Sequence, residues 1–172
     1  MRIRSAVPED LEAICRIEEA CFGRSGRETK RNLKERLRLS PDHFWVMEEE
    51  ETGRIVSMLY GMSASISSLY HEEFMYPYVH DEEKDWDLLV IAATLPEYRG
   101  RGYAGELLAR AIRSARERGK RGLAGVCREG MVPYYETFGF MDRGPYHHRK
   151  GEKIHWHELR LLLPEEDEED IP

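Results

Sequence analysis

The segment Leu95-Pro96-Glu97-Tyr98-Arg99-Gly100-Arg101-Gly102-Tyr103-Ala104-Gly105 lies between two strongly patterned neighbours. Before it, Leu88-Leu89-Val90-Ile91-Ala92-Ala93 is apolar without a break, as in a strand buried on both faces. After it, Leu107, Leu108, Ala111, Ile112 and Ala115 recur at helical spacing, while Arg110, Arg113, Arg116 and Arg118 fall on the opposite side. The pattern predicts a central strand, a glycine turn and an amphipathic helix in succession. Glycine lets the backbone turn tightly and lets a ligand approach without a Cβ in the way. A helix start adds unpaired N–H groups and a positive dipole end, and Arg99 and Arg101 add charge, so the segment suits a phosphate or pyrophosphate. A glycine turn without a ligand is the plainer alternative. No Gly-Lys-Ser/Thr follows, so this is not a P-loop. Gly100, Gly102 and Gly105 have G-x-G-x-x-G spacing, but other strands precede this one, and no acidic residue ends a second strand about 20 residues on, as a dinucleotide fold requires.

Toward the N-terminus, Arg2-Ile3-Arg4 alternates like a short strand. Pro8-Glu9-Asp10 opens a helix with Leu11, Ile14, Cys15 and Ile17 on its apolar face, broken by Gly23 to Gly26. A second helix is predicted from about Thr29 to Leu39, stopped by Ser40-Pro41. Two strand-like runs, Phe44 to Met47 and Ile55 to Tyr60, flank a turn at Glu51-Thr52-Gly53. Periodicity fades from Ser65 to Asp85, a stretch long for a connection without structure of its own. Toward the C-terminus, Leu123 to Cys127 reads as another buried strand and Val132 to Phe138 as a short helix ended by Gly139. Two strands about a turn at Lys150-Gly151 complete the pattern, the last running from Ile154 to Leu163. The order β-α-α-β-β-β-α-β-α-β-β describes one mixed α/β domain over residues 1–163. Residues 164–172 form an acidic tail expected to be disordered.

The chain has 172 residues, with 26 Lys+Arg against 33 Asp+Glu and a formal charge of −7. Six of those acids are Glu165, Glu166, Asp167, Glu168, Glu169 and Asp170, so the body is close to neutral. This balance argues against a dedicated nucleic-acid binder. No apolar run approaches the roughly 20 residues of a membrane span, and Met1-Arg2-Ile3-Arg4-Ser5 does not read as a secretory signal. Three cysteines, Cys15, Cys21 and Cys127, are an odd number without metal spacing, which fits a reduced, cytoplasmic setting.

Two motifs together carry a family resemblance. Arg99-Gly100-Arg101-Gly102-Tyr103-Ala104 resembles the Arg/Gln-x-x-Gly-x-Gly/Ala motif of the GNAT superfamily of N-acetyltransferases. Val132 to Phe140 resembles its second signature, in which a tyrosine precedes Phe-Gly-Phe. The resemblance covers residues 1–163 and implies an acyl-CoA N-acyltransferase fold: a single mixed, twisted sheet with splayed central parallel strands, flanked by helices. It implies acetyl-CoA as acetyl donor, with Arg99, Gly100, Arg101, Gly102, Tyr103, Ala104 and Gly105 around the pyrophosphate and Ala92, Ala93 and Thr94 along the pantetheine arm. The implied reaction is direct transfer of acetyl from the thioester to a primary amine. Ile3 to Asp10, Cys127 to Phe140 and Gly144-Pro145 are also similar to serotonin (arylalkylamine) N-acetyltransferases. Those enzymes carry two histidines, one residue apart, on the strand before the glycine turn. The corresponding positions here are Leu88 and Val90, so that proton relay is absent from this chain.

The resemblance places Tyr135 near the CoA sulfur, where a phenol with an ordinary pKa near 10 can donate to the leaving thiolate. An aromatic packing role is the alternative. Asp87 is the nearest titratable group at the start of the strand before the turn, and is the candidate base. An ordinary strand-end residue is its alternative, with His80, Asp81, Asp85 or bulk water receiving the proton instead. Among seven histidines, His155 and His157 share a strand face. Zinc there needs a third ligand, such as His148. The family needs no metal and none is expected. Tyr70, Phe74, Tyr76, Tyr78 and Trp86 are interleaved with Glu72, Glu73, Asp81, Glu82, Glu83 and Asp85, a mixture that suits a cation with an apolar body. The expected acceptor is a small cationic amine, an arylalkylamine or polyamine. A peptide or protein amine, and a non-catalytic acyl-CoA-binding module, are the alternatives. The expected assembly is a monomer or homodimer.

Overall fold

The computed structural model describes residues 1–71, 74–147 and 155–164. Its elements follow the predicted order: β1 (Arg2–Ser5), α1 (Leu11–Gly26), α2 (Lys30–Leu39), β2 (Phe44–Glu48), β3 (Ile55–Ala64), β4 (Trp86–Thr94), α3 (Tyr103–Glu117), β5 (Gly122–Arg128), α4 (Val132–Glu136), β6 (Met141–Tyr146) and β7 (Trp156–Leu162). Pro8–Asp10 is a single 3-10 turn leading into α1, and α1 is kinked at Gly23, whose φ is 67°. The turn at Lys150-Gly151 and the acidic run from Glu165 lie outside the described residues.

The strands form one sheet in the order β1-β2-β3-β4-β5-β7-β6. Only β4 and β5 are parallel, because α3 carries the chain across between them; the other neighbours pair antiparallel. This is the mixed, splayed sheet flanked by helices that the sequence predicts. The parallel pairing is short: Trp86, Leu88 and the residue between them face Gly122 to Ala124, and no rung follows. From Leu89 and Gly125 onward the two strands diverge, which opens a V in the middle of the sheet. Gly122 starts the pairing where a Cβ would stand 2.3 Å from the Leu161 carbonyl oxygen and 2.7 Å from the Trp86 ring.

A second irregularity lies on β4. Tyr60 pairs with Ile91 but Gly61 pairs with Leu89, so Val90 is an extra residue, a β-bulge opposite β3. The bulge draws the two backbones together at Gly61, where a Cβ would lie 2.4 Å from the Leu88 carbonyl oxygen.

Alternation along β3 assigns the layers. Tyr60 donates to Glu18 of α1 at 2.9 Å, while Leu59 and Ser63 point the other way, Ser63 toward a cluster that includes Arg118 at the end of α3. Helix α1 thus covers one face and α3 the other. The main core joins Ile14, Ile17 and Leu33 to Phe44, Val46, Met58 and Leu59, and continues to Leu107, Leu108 and Ala111. The stretch Ser65 to Asp85 is a folded cap rather than a bare loop. Its 3-10 turns at Ile66–Tyr70 and Pro77–Val79 set Leu69 and Phe74 against Met62, Leu88, Ala124 and Tyr146 in a second core.

A cleft between splayed strands as candidate active site

The V between β4 and β5 opens into a cleft of about 310 Å³. One wall is β4 past its last rung, from Leu89 to Ala92 and Thr94, with Leu59 of β3 behind it. The second wall is Val126 of β5 with Met131, Tyr134 and Tyr135 at and inside the start of α4. The roof is the glycine turn and the first turns of α3: Tyr98, Arg99, Gly100, Gly102, Tyr103, Ala104, Gly105 and Leu108. Of the residues expected to bind a cofactor, Ala92, Thr94, Arg99, Gly100, Gly102, Tyr103, Ala104 and Gly105 border this one space. Ala93 points away into the core, 5% exposed, and its carbonyl accepts from Ser57 Oγ at 3.1 Å.

The turn is built for close approach. Gly100 and Gly102 have φ of 75° and 83°, the left-handed region that glycine enters freely, and a Cβ at either would meet nothing within 4 Å. Gly102 caps α3, and Glu106 N–H makes the first helical bond to its carbonyl at 3.0 Å. The N–H groups of the preceding turn are left to a ligand, and the helix dipole adds positive character. Arg99 Nε donates to the Thr94 carbonyl at 3.0 Å, fixing the turn to the end of β4. Arg101 does not line the cleft; its guanidinium lies 5.1 Å from the centroid of the Tyr98 ring, and Arg54 lies 5.3 Å from the same ring. Gly105 packs closely, since a Cβ there would stand 3.0 Å from the Phe138 ring. The backbone donors, the open glycines and Arg99 fit a diphosphate, and the exposed strand edge below them fits an extended amide-bearing arm.

Tyr135 projects from α4 into the cleft wall, edge-on to Tyr134 and Phe140. Burial, with Cys127 and Tyr134 beside it, pushes its phenol up to about 12. The group is therefore fully protonated at neutral pH and available as a donor.

Asp87 lies elsewhere. It is 4% exposed, absent from the cleft lining, and on the part of β4 that is still paired to β5. One oxygen accepts from Ser63 Oγ at 2.9 Å and the other from Arg118 Nη2. The expectation of a base at this position meets a buried carboxylate already engaged by an arginine. The strand-end position in sequence concealed this, because Arg118 and His43 reach Asp87 only through tertiary packing.

Around Asp87 are His43, His80, Glu82 and Lys120. His43, His80 and Glu82 are close enough to suggest a metal site, but their hydrogen bonds run otherwise. His43 Nδ1 accepts from Arg118 Nη2 at 3.3 Å, and His80 Nδ1 accepts from the Ser63 N–H at 3.1 Å. Both Nε2 atoms therefore carry hydrogen, and that of His43 is donated to Glu82 at 2.7 Å. Arg118 and Lys120 also face Glu82, at 3.4 and 3.3 Å. The group is a hydrogen-bonded ionic cluster in which both ring nitrogens of His43 and Nδ1 of His80 already have partners. His157 is tied to Asp142 at 2.8 Å, His155 is exposed, and His148 lies outside the described residues.

The aromatic-acidic stretch divides. Phe74 and Trp86 are core residues, Tyr76 and Tyr78 are exposed and stacked with centroids 5.6 Å apart, and Tyr70 donates to Glu158 of β7 at 2.5 Å. Glu72 and Glu73 lie outside the described residues. Sequence reading missed Leu59, Leu89, Val90, Ile91, Tyr98, Leu108, Val126 and Met131 as cleft residues. Leu89, Val90, Ile91 and Val126 carried a signal, since they stand on the two strands already identified.

Comparison with curated protein sequences finds no match. Among solved structures, the GphF GNAT-like decarboxylase in complex with isobutyryl-CoA superposes with a TM-score of 0.77 at 22% identity, over 94% of this chain and 99% of that one. The ribosomal-protein-S18-alanine N-acetyltransferase from Escherichia coli gives 0.68 at 16% identity, over 96% and 97%. A GNAT family acetyltransferase from Brucella melitensis in complex with acetyl-CoA gives 0.62 at 22%, over 95% and 89%. These likenesses establish a shared fold. The profile of the acetyltransferase (GNAT) domain matches residues 2–141, most of the chain, and with the splayed sheet and glycine-capped helix it shows that this protein belongs to the GNAT acetyltransferase family.

Proposed function

We propose that this protein is an acetyl-CoA-dependent N-acetyltransferase that acetylates a cationic primary amine. The observation that carries the reading is one cleft bordered by both the open glycines at the head of α3 and the Tyr135 phenol. The pyrophosphate of the donor takes the N–H groups of Gly100 to Gly105 and the charge of Arg99. The pantetheine arm lies along Ala92 and Thr94, and the thioester reaches the part of the V beside Tyr135.

The reaction starts from a neutral amine, so the ammonium first loses a proton to solvent. The nitrogen lone pair bonds to the thioester carbonyl carbon, the C–S bond breaks, and the proton lost by nitrogen ends on the CoA sulfur. A phenol at about 12 facing an ordinary thiol near 8.5 would give up its proton at a cost of about 5 kcal/mol. Tyr135 therefore stabilises the departing thiolate by donating a hydrogen bond and keeps its proton. Asp87 has no part in this reading, since its oxygens are held by Ser63 and Arg118.

A small amine, an arylalkylamine or a polyamine, is the acceptor favoured by the exposed Tyr76 and Tyr78 and the exposed acids Asp81 and Glu83 of the β3–β4 connection, and by the serotonin N-acetyltransferase resemblance. A peptide N-terminus is the second reading; it is favoured by the likeness to the alanine N-acetyltransferase of a ribosomal protein. The test measures thiol release from acetyl-CoA with tryptamine, spermidine and an alanine-initiated peptide. Turnover with either small amine supports the first reading, and turnover with the peptide alone supports the second. Binding of acetyl-CoA with no turnover across the panel would leave a CoA-binding module.

A further inference from the structure

At the end of α3 far from the glycine turn, exposed arginines meet the end of β7. The Leu163 N–H donates to the Arg121 carbonyl at 2.9 Å, so the chain leaves the sheet beside Arg121. An open groove of about 830 Å³ lies there, lined by Arg116, Lys120 and Arg121 from one side and by Leu162, Leu163 and Pro164 from the other. Leu162 is 57% exposed and gives the groove an apolar surface. Three cations nearby are already engaged. Arg118 holds Asp87, Lys120 Nζ donates to the carbonyls of Glu82 and Lys84 at 2.6 and 3.0 Å, and Arg110 faces Glu117 at 3.5 Å. Arg113, Arg116 and Arg121 are exposed, and among the described residues none of the three has an ionic partner. Arg113 stands one turn before Arg116 on the same helix face and extends the basic surface. Directly after Pro164 the sequence continues Glu165, Glu166, Asp167, Glu168, Glu169 and Asp170.

We propose that this acidic segment docks in the groove, as an internal occupant that keeps outside polyanions off Arg113, Arg116 and Arg121. Position favours it, because Pro164 lines the groove and the first acid is the next residue. Reach favours it as well. Six extended residues span about 20 Å, whereas Arg113 and Arg116 are about 4.5 Å apart along the helix axis. Charge decides the match: successive carboxylates repel one another and find relief against unpaired guanidiniums. Each such pair is weak at an exposed surface, but a segment tethered this closely meets its site at millimolar effective concentration. The glycine turn is about 20 Å away along α3, so the docked segment leaves the cleft open.

The experiment is fluorescence anisotropy of a labelled peptide, Glu-Glu-Asp-Glu-Glu-Asp, at low salt. It is titrated with the unaltered chain and with a full-length variant whose acids from Glu165 to Asp170 are replaced by the matching amides. The amide variant should bind the peptide, and the unaltered chain at least tenfold more weakly, because its own segment competes. Salt near 1 M, where charges are screened beyond about 3 Å, should remove the binding. In the amide variant, adding Arg116→Glu and Arg121→Glu should abolish it. Adding Arg116→Gln and Arg121→Gln instead should weaken it at least fivefold, which keeps the test open should the charge reversal fail to fold. Arg31→Glu with Lys34→Glu, on the exposed basic side of α2, should leave it unchanged. Equal binding by the unaltered chain and the amide variant would make the groove a site for an outside acidic partner and overturn the internal one. Binding by neither, or binding lost only with the α2 substitutions, overturns the groove as well.

Discussion

At the scale of single residues, Tyr135 and Gly61 show what one atom decides. With its phenol near 12, Tyr135 is proposed to act by hydrogen bonding to the thiolate, and on that proposal its removal should act on the chemical step. Tyr135→Phe is expected to lower kcat about 10- to 100-fold, the worth of one buried donor, with the KM for acetyl-CoA within about twofold. Steady-state kinetics check this, and an unchanged kcat would remove the role. Gly61 faces the bulge at Val90 with no space for a Cβ, and the obstacle is backbone. Gly61→Ala should cost about 2–3 kcal/mol in urea denaturation; a loss under about 0.5 kcal/mol would show that the strands can slide apart. Tyr135 was legible in sequence because its signature places it beside Phe-Gly-Phe. Gly61 was not, because a glycine within an apolar strand looks the same whether it is required or incidental. Asp87 was misleading for a related reason: proximity to a strand end says nothing of the arginine thirty-one positions away that packs on it.

At the scale of elements, the order and type of strands and helices were readable because each is long enough to show its period. The stripe of α3 and the unbroken run of β4 are the clearest cases. The β3–β4 connection was less readable, since its anchors Leu69 and Phe74 have no periodic spacing and are fixed by the sheet beneath them. The same connection ends in the ionic cluster of His43, His80, Glu82, Asp87, Arg118 and Lys120, which ties it to the C-terminal end of α3. Burial lowers the pKa of His43 and of His80 below the ordinary 6.5. A histidine that resists protonation in the folded state contributes stability that is present above 6.5 and is lost as pH falls below it. Stability should therefore decline as pH falls from 7.5 to 5.5, with His43 and His80 acting in the same direction. Chemical denaturation at pH 7.5 and 5.5 measures the difference, and His43→Gln should shrink it. Equal stability at the two pH values would mean that the cluster accepts the proton without loss.

At the scale of the whole molecule, net charge was an incomplete guide. The acids from Glu165 to Asp170 account for most of it, while the body places Arg99 at the head of the cleft and leaves acids on the β3–β4 connection. The family was legible from two short motifs at the right separation. The cleft was not, because its depth depends on where β4 and β5 part, and an apolar strand carries no mark of its last rung. Those few rungs have an energetic consequence. The sheet divides into β1 to β4 and β5 to β7, with a narrow isthmus of backbone pairing between them. A ligand lying against both walls acts as a rivet across the isthmus. Acetyl-CoA at about 100 times its Kd adds roughly 2.7 kcal/mol by mass action, or about 5–10 °C in Tm for a chain of this size. Amide hydrogen exchange should slow most in Gly122–Arg128, and protection confined to the glycine turn would mean that the two halves were already fused without it.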